Sequence, residues 1–273
     1  MAGWFGFLDP TREGPGIRKD APKKKAFFVF FETFFRNFFK FVSINLVYVV
    51  MSLPIITHGM ASAGITNVTR NIARDKHSFG LSDFFETIRK NWKQALAVGV
   101  INTIVRVVVA IAIYIYFNSY INAETQSLFN LAGLVICLLV VSIFTMMNFY
   151  IYTLMITFNF SVKTLYKNSF KFVFVNLWRN LLCGIILLCV YAIYAGIAFI
   201  FNDLRVVVIE LIIAAATLPA FRYLLVQFFT FGSIKKYIID PYYEQHPDED
   251  IDKRRDLGLD VPEDNEYDDM NWE

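Results

Sequence analysis

The sequence predicts an all-α integral membrane protein, a bundle of about six hydrophobic helical segments arranged as three helix hairpins with amphipathic interfacial elbows. Composition is the first reason: 56% of the 273 residues are hydrophobic and only 18% are charged, where a soluble domain carries about 25% charge. The second is that several long stretches hold at most one or two charged residues, and about 20 apolar residues rising 1.5 Å each cross a ~30 Å hydrocarbon core. The third is that these stretches lack the period-two alternation of barrel strands. That leaves the helix, which satisfies its own backbone in lipid.

The net charge of +2 hides two opposite parts. From Asp240 onward there are 14 acidic and 3 basic residues, a charge of −11, against +13 for the rest. The chain therefore divides into a cytosolic N-terminal arm, 1–26, a helical membrane domain, 27–239, and an acidic cytosolic tail, 240–273. The tail's composition predicts a solvated, disordered segment. The arm combines turn-forming Asp9-Pro10 and Gly14-Pro15-Gly16 with an apolar tip at Trp4, Phe5, Phe7 and Leu8. Lys23 to Lys25 before an apolar run resembles the start of a signal peptide, but Glu32, Arg36 and Lys40 interrupt that run, so it reads as retained.

In the membrane domain, nine of the fifteen residues from Phe27 to Phe41 are Phe, while Glu32, Arg36 and Lys40 recur every fourth position. That spacing forms one charged stripe on a helix lying in the interface plane. The first span follows, from about Phe38 to Ile56, weakened near its far end by Pro54. Residues 60–73 are short, rich in small residues and polar, with Asn67 and Arg70. The bias of Lys and Arg toward the inside predicts that they cross, because otherwise Arg70, Arg74, Lys76, Arg89, Lys90 and Lys93 would lie outside. Four clearer spans run from about Ala95 to Phe117, Leu131 to Phe160, Leu181 to Phe201 and Val206 to Phe231. The basic connector with Lys163, Lys167, Lys171 and Arg179 faces in. The connectors at 118–127 and 202–205, poor in basic residues, face out.

An internal echo supports three hairpins. Phe31-Glu32-Thr33-Phe34-Phe35-Arg36-Asn37-Phe38 matches Phe85-Glu86-Thr87-Ile88-Arg89-Lys90-Asn91-Trp92, and more weakly Phe174-Val175-Asn176-Leu177-Trp178-Arg179-Asn180-Leu181. Each copy stands directly before an outward-going span.

Catalytic constellations are not expected. His58, His77 and His246 lie in loops, tail or segment ends with no HExxH motif, no Asp falls inside a span, and Ser142 has no His in any span to act as its base. No Gly-rich phosphate loop occurs, and Cys137, Cys183 and Cys189 sit in apolar stretches where thiols behave as small hydrophobes. No metal or cofactor is expected. The basic residues among Phe and Trp flank spans, so nucleic acid is not an expected partner either. The candidate intramembrane polar contacts are Asn102, Arg106, Glu210 and Arg222, because such residues in hydrocarbon face a bundle interior, a partner or a watery cavity. Arg106 is expected to face the bundle interior or a partner, hydrogen-bonded to Glu210, the only acid in any span, or to backbone carbonyls, with Asn102 on the same face one turn earlier.

The opening Gly3-Trp4-Phe5-Gly6-Phe7-Leu8-Asp9-Pro10-Thr11-Arg12-Glu13-Gly14-Pro15-Gly16, the Lys23 to Lys25 run, Leu53-Pro54-Ile55 with Ala61 to Gly64 after it, and Phe79 to Trp92 together resemble the YesL family of bacterial membrane proteins. The resemblance is strongest over the first hundred residues and thereafter rests on hydrophobic pattern. Members are typical of Gram-positive bacteria and tend to be encoded beside carbohydrate importers of the ABC class. The resemblance implies no catalytic or binding residue. It implies a bacterial plasma-membrane accessory of oligosaccharide or polysaccharide uptake. With the Lys and Arg distribution, which predicts a multi-pass protein with both termini cytosolic, and with no catalytic constellation, the expectation is a non-catalytic accessory that meets lipid and the permease subunits of a carbohydrate ABC importer. The alternatives are a small solute transporter or channel in its own right, or a membrane-bound sensor of sugar availability.

Overall fold

The computed structural model describes residues 25–122, 127–201 and 203–245. The arm with its apolar tip and nearly all of the acidic tail lie outside the described residues. Among those described, the chain is helical throughout, without strands: α1 (Ala26–Arg36), α2 (Phe38–Ser52), a 3₁₀ turn (Ile55–Thr57), α3 (His58–Ala73), α4 (Leu81–Asn122), α5 (Leu128–Thr157), α6 (Val162–Val175), α7 (Leu177–Phe201), α8 (Leu204–Ile234), a π turn (Lys235–Ile239) and α9 (Asp240–Gln245). Four of these, α4, α5, α7 and α8, are long and apolar enough to cross a membrane. A fifth span results if α1 and α2, which meet at 74°, count as one bent element.

The aromatic helix α1 buries Phe30 and Phe34 against α8, with Phe30 5.2 Å from Phe221 and 5.5 Å from Phe228 in edge-on geometry. Such contacts add to plain area burial. The charged stripe does not simply face water. Arg36 pairs with Asp75 at 2.6 Å, and the Lys40 ammonium donates to the Ser78 carbonyl at 2.9 Å. The start of α2 and the loop after α3 are thereby tied together. That loop turns through positive φ at Asp75 and Gly80, and Asp83 accepts from the Ser78 hydroxyl and the Phe79 amide to start α4.

Helix α3 is the finding that the sequence did not foreshadow. It is not among the helices long and apolar enough to cross on their own; its polar and small residues fit instead because protein surrounds it. Eleven of its 16 residues are buried, and it touches α1, α2, α4, α5 and α8. A Cβ on Gly59 would collide with the Ala95 carbonyl oxygen and lie 2.7 Å from Cα of Gly99, while one on Gly64 would lie 2.8 Å from the Phe84 ring. Small residues on both helices let the backbones meet, as association in lipid favours.

The three echoing segments fold in three ways. The first breaks at Asn37 between α1 and α2, the second runs unbroken inside α4, and the third breaks at Asn176 between α6 and α7. What the first two share is local: Asn37 and Asn91 each donate to the carbonyl four residues earlier, of Thr33 and Thr87. In the third, Asn180 donates to the Phe172 and Val173 carbonyls at the end of α6 and accepts from the Tyr150 hydroxyl. It pins the α6–α7 break onto α5.

Pro219 lies inside α8, where proline removes one amide from the helix ladder. Fully buried Asn45 of α2 meets this point. Its side-chain amide donates to the Ala216 carbonyl and accepts from the Ala220 amide, both at 2.7 Å. These two backbone groups pair directly in an uninterrupted helix. A single Asn thus bridges the ladder beside the proline and fixes α2 against α8.

Asn45→Leu is therefore expected to lower unfolding stability in detergent by about 2 kcal/mol or more, because buried backbone groups lose a partner. Adding Pro219→Ala, which lets the ladder close, recovers part of the loss. Equal loss in the single and double variants contradicts the bridging role.

Candidate functional site

The polar residues of the bundle are not scattered. Asn102 of α4 is fully buried and donates to the Asn148 side-chain oxygen of α5 at 2.6 Å and more weakly to the Tyr152 hydroxyl at 3.4 Å. It accepts from the Tyr166 hydroxyl of α6 at 2.8 Å. Asn148 in turn donates to the Phe144 carbonyl. Both amides have their capacity largely used, as burial in a low dielectric demands. Deeper among the helices, Gln227 of α8 donates to Thr153. Arg70 donates to Thr157 and Asn67, and Asn67 to Thr87.

Arg106 and Arg222 meet at a cavity of about 400 Å³ above this cluster, lined also by Thr145, Asn148 and Phe149 of α5 and by Gly184, Leu187, Leu188 and Tyr191 of α7. The cavity sits where two helix pairs part. The far halves of α4 and α5 touch through Tyr116 over Gly133, and those of α7 and α8 through Tyr194 and Thr217. Arg222 lies 5.5 Å from the Tyr223 ring centre. The Tyr48 ring packs 6.0 Å from His58 and 5.8 Å from Tyr223, carrying a polar aromatic group from α2 through α3 to α8.

The structure thus brings Arg106 and Arg222 to one cavity, with Asn102 held one shell below through Asn148. Glu210 stands apart. Among the described residues no ion pair joins it to Arg106, and one of its carboxylate oxygens is buried without a hydrogen-bond partner. The expected Arg106–Glu210 pair is corrected on this point: the α8 side chain that shares a cavity with Arg106 is Arg222, and Glu210 precedes it by twelve residues, ~18 Å along the helix. Sequence reasoning missed Asn45, Asn148, Tyr152 and Tyr166. Asn148 and Tyr152 carried a usable signal, being two polar groups four apart inside a span, the spacing that drew attention to Asn102 and Arg106.

Single changes Asn102→Leu and Asn148→Leu are expected to destabilise non-additively, with a coupling of about 0.5–3 kcal/mol in a double-mutant cycle. Arg106→Leu and Glu210→Leu should add to within about 0.5 kcal/mol, as distant sites do. Unfolding followed in detergent checks both. Coupling between 106 and 210 contradicts the geometry.

Residues 41–113 match the model of DUF624, described as a protein of unknown function and the family that contains YesL-like proteins. Neither the curated proteins nor the solved structures give a match. The matched stretch runs through α2, α3 and most of α4, and so carries Asn45, Gly59, Gly99, Asn102 and Arg106. In sequence the chain is similar to that family over the part of the bundle built around α3.

Proposed function

We propose that the chain is a non-catalytic accessory protein of the YesL kind, seated in the bacterial plasma membrane with both termini cytosolic, that associates with the permease subunits of a carbohydrate ABC importer. One observation carries the association. Packing is concentrated around α3 at one end of the bundle, while the far halves of α4, α5, α7 and α8 present large apolar side chains outward, among them Ile104, Val108, Leu139, Ile193 and Ile212. In lipid such surfaces are free to take up partner helices through side-chain packing. Supporting the orientation, Lys40, Arg74 and Arg179 are drawn to one end. Lys40 holds Ser78, Arg74 lies 3.5 Å over the Phe231 ring near the end of α8, and Arg179 reaches α8 beside Gly232. Basic residues gathered at one end favour the cytosolic side.

The rival reading is a small transporter or channel. It is favoured by the cavity at Arg106 and Arg222 and by the buried polar side chains below it, where Asn148, Thr66, Tyr152, Thr153 and Gln227 border a smaller void shared with Arg222.

Co-purification from the native membrane in mild detergent separates the two. Stoichiometric permease subunits are expected. Their absence, together with solute flux in liposomes holding this chain alone, replaces the accessory reading with the rival. For orientation, cysteines placed at Ser119 or Asp203 should label from outside and those at Lys76 or Lys167 should not. Labelling at Lys76 removes the proposed topology.

A further inference from the structure

The geometry points to the cavity between the two helix pairs as a binding site for a phosphate-type oxyanion, held by Arg106 of α4 and Arg222 of α8 over Asn148. The inference holds whether or not the chain works beside an importer.

Charge is the first argument. Guanidinium groups stay protonated, and two of them bordering one cavity at membrane depth repel each other in a medium that screens poorly. None of the nine residues lining the cavity is acidic, and among the described residues neither arginine is in an ion pair. Glu210 precedes Arg222 by twelve residues, ~18 Å along a helix. Arg106 is exposed and Arg222 half-buried at this opening, so an anion entering the cavity can supply the compensating charge.

The chemistry of the lining is the second. Arginine presents a planar fork of donors that matches the oxygens of phosphate, and two forks from separate helices can grip one tetrahedral group from two sides. Asn148 is held rigid at the base because Asn102 donates to its oxygen while its own amide is spent on the Phe144 carbonyl. Tyr191, 43% exposed, adds a phenol at the rim, and Phe149, Leu187 and Leu188 supply an apolar wall. A volume of about 400 Å³ falls in the range that holds small ligands, roughly 300–1,000 Å³. A phosphate ester with an apolar or neutral body fits this division into a cationic floor and an apolar wall. It can arrive as a lipid headgroup entering sideways between the helix pairs, or as a soluble phosphate entering from water.

Gly184 makes the proposal testable without disturbing the fold. It lines the cavity, and a Cβ there would meet nothing within 4 Å, so Gly184→Phe fills the space from a helix that also gains by losing a glycine. The full chain, purified in neutral detergent, is titrated at constant ionic strength with sodium phosphate in one arm and with phosphatidylglycerol in the other, phosphatidylcholine being the control for added lipid. Thermal unfolding is the readout, since a ligand of the folded state raises its midpoint in a saturable way. Wild type is expected to respond in at least one arm: response to phosphate identifies a soluble oxyanion, and response to phosphatidylglycerol alone identifies a headgroup. Arg106→Gln and Arg222→Gln should each raise the half-saturating concentration about tenfold or more, the worth of a charge-assisted contact. Gly184→Phe should abolish the response while keeping the midpoint without additive near that of wild type. No saturable response of wild type in either arm overturns the proposal, as does a response that survives Gly184→Phe. If the arginine variants do not fold, the Gly184→Phe comparison decides alone.

Discussion

The meeting of the α3 and α4 backbones at Gly59 and Gly99 is the contact on which the rest of the bundle depends. In hydrocarbon the hydrophobic effect gives helices no reason to associate, so they are held by close packing and by polar contacts. Two glycines facing each other let α3 sink into the bundle until protein surrounds it. From that position it offers Ile65, Val68 and Ile72 to the core. It also offers a polar edge, where Asn67 reaches Thr87 of α4 and Arg70 reaches Thr157 of α5. A helix too polar to face lipid becomes the one to which the others are referred.

Asparagine does most of the remaining fastening, for a physical reason. Its amide can donate and accept at once, so a single side chain can serve two backbone groups where water is absent. Asn45 does this for α8 beside Pro219, and Asn180 for the end of α6 while accepting from Tyr150. Asn102 donates to Asn148 and accepts from Tyr166, and so joins α4 to α5 and α6. A satisfied amide network of this kind specifies one arrangement, since any slip leaves a buried group unpaired.

Packing is uneven along the bundle, and this asymmetry bears on function. The end with α1, α3, α6 and the last turns of α8 is dense, with aromatic stacking such as Tyr150 on Phe172 at 5.0 Å. Toward the other end α4 with α5 and α7 with α8 remain as two pairs, and the cavity with its two arginines lies where they separate. A rigid polar floor beneath a looser mouth suits binding, because the groups that recognise a ligand are fixed while its surroundings can adjust.

The sequence by itself determined the membrane class, the helical class and the positions of the long helices. These depend on composition and on runs of apolar residues, and lipid leaves the backbone few alternatives. Leu131–Phe160 as read corresponds to α5 at Leu128–Thr157, and Leu181–Phe201 to α7 at Leu177–Phe201. It also marked Asn102, Arg106 and Arg222 as costly residues that require a protein environment. What it could not decide was which of them meet. The pairing of Arg106 with Glu210 follows from their being a central base and the sole acid in the spans, yet the sequence does not say which turns of two helices meet, and the α8 side chain that shares a cavity with Arg106 is Arg222. The role of residues 60–73 was equally out of reach, because small and polar residues describe both a poor span and a well-buried helix. Only the tertiary contacts of Gly59, Gly64 and Arg70 separate the two, since whether a polar side chain is costly depends on the partner that the fold brings to it.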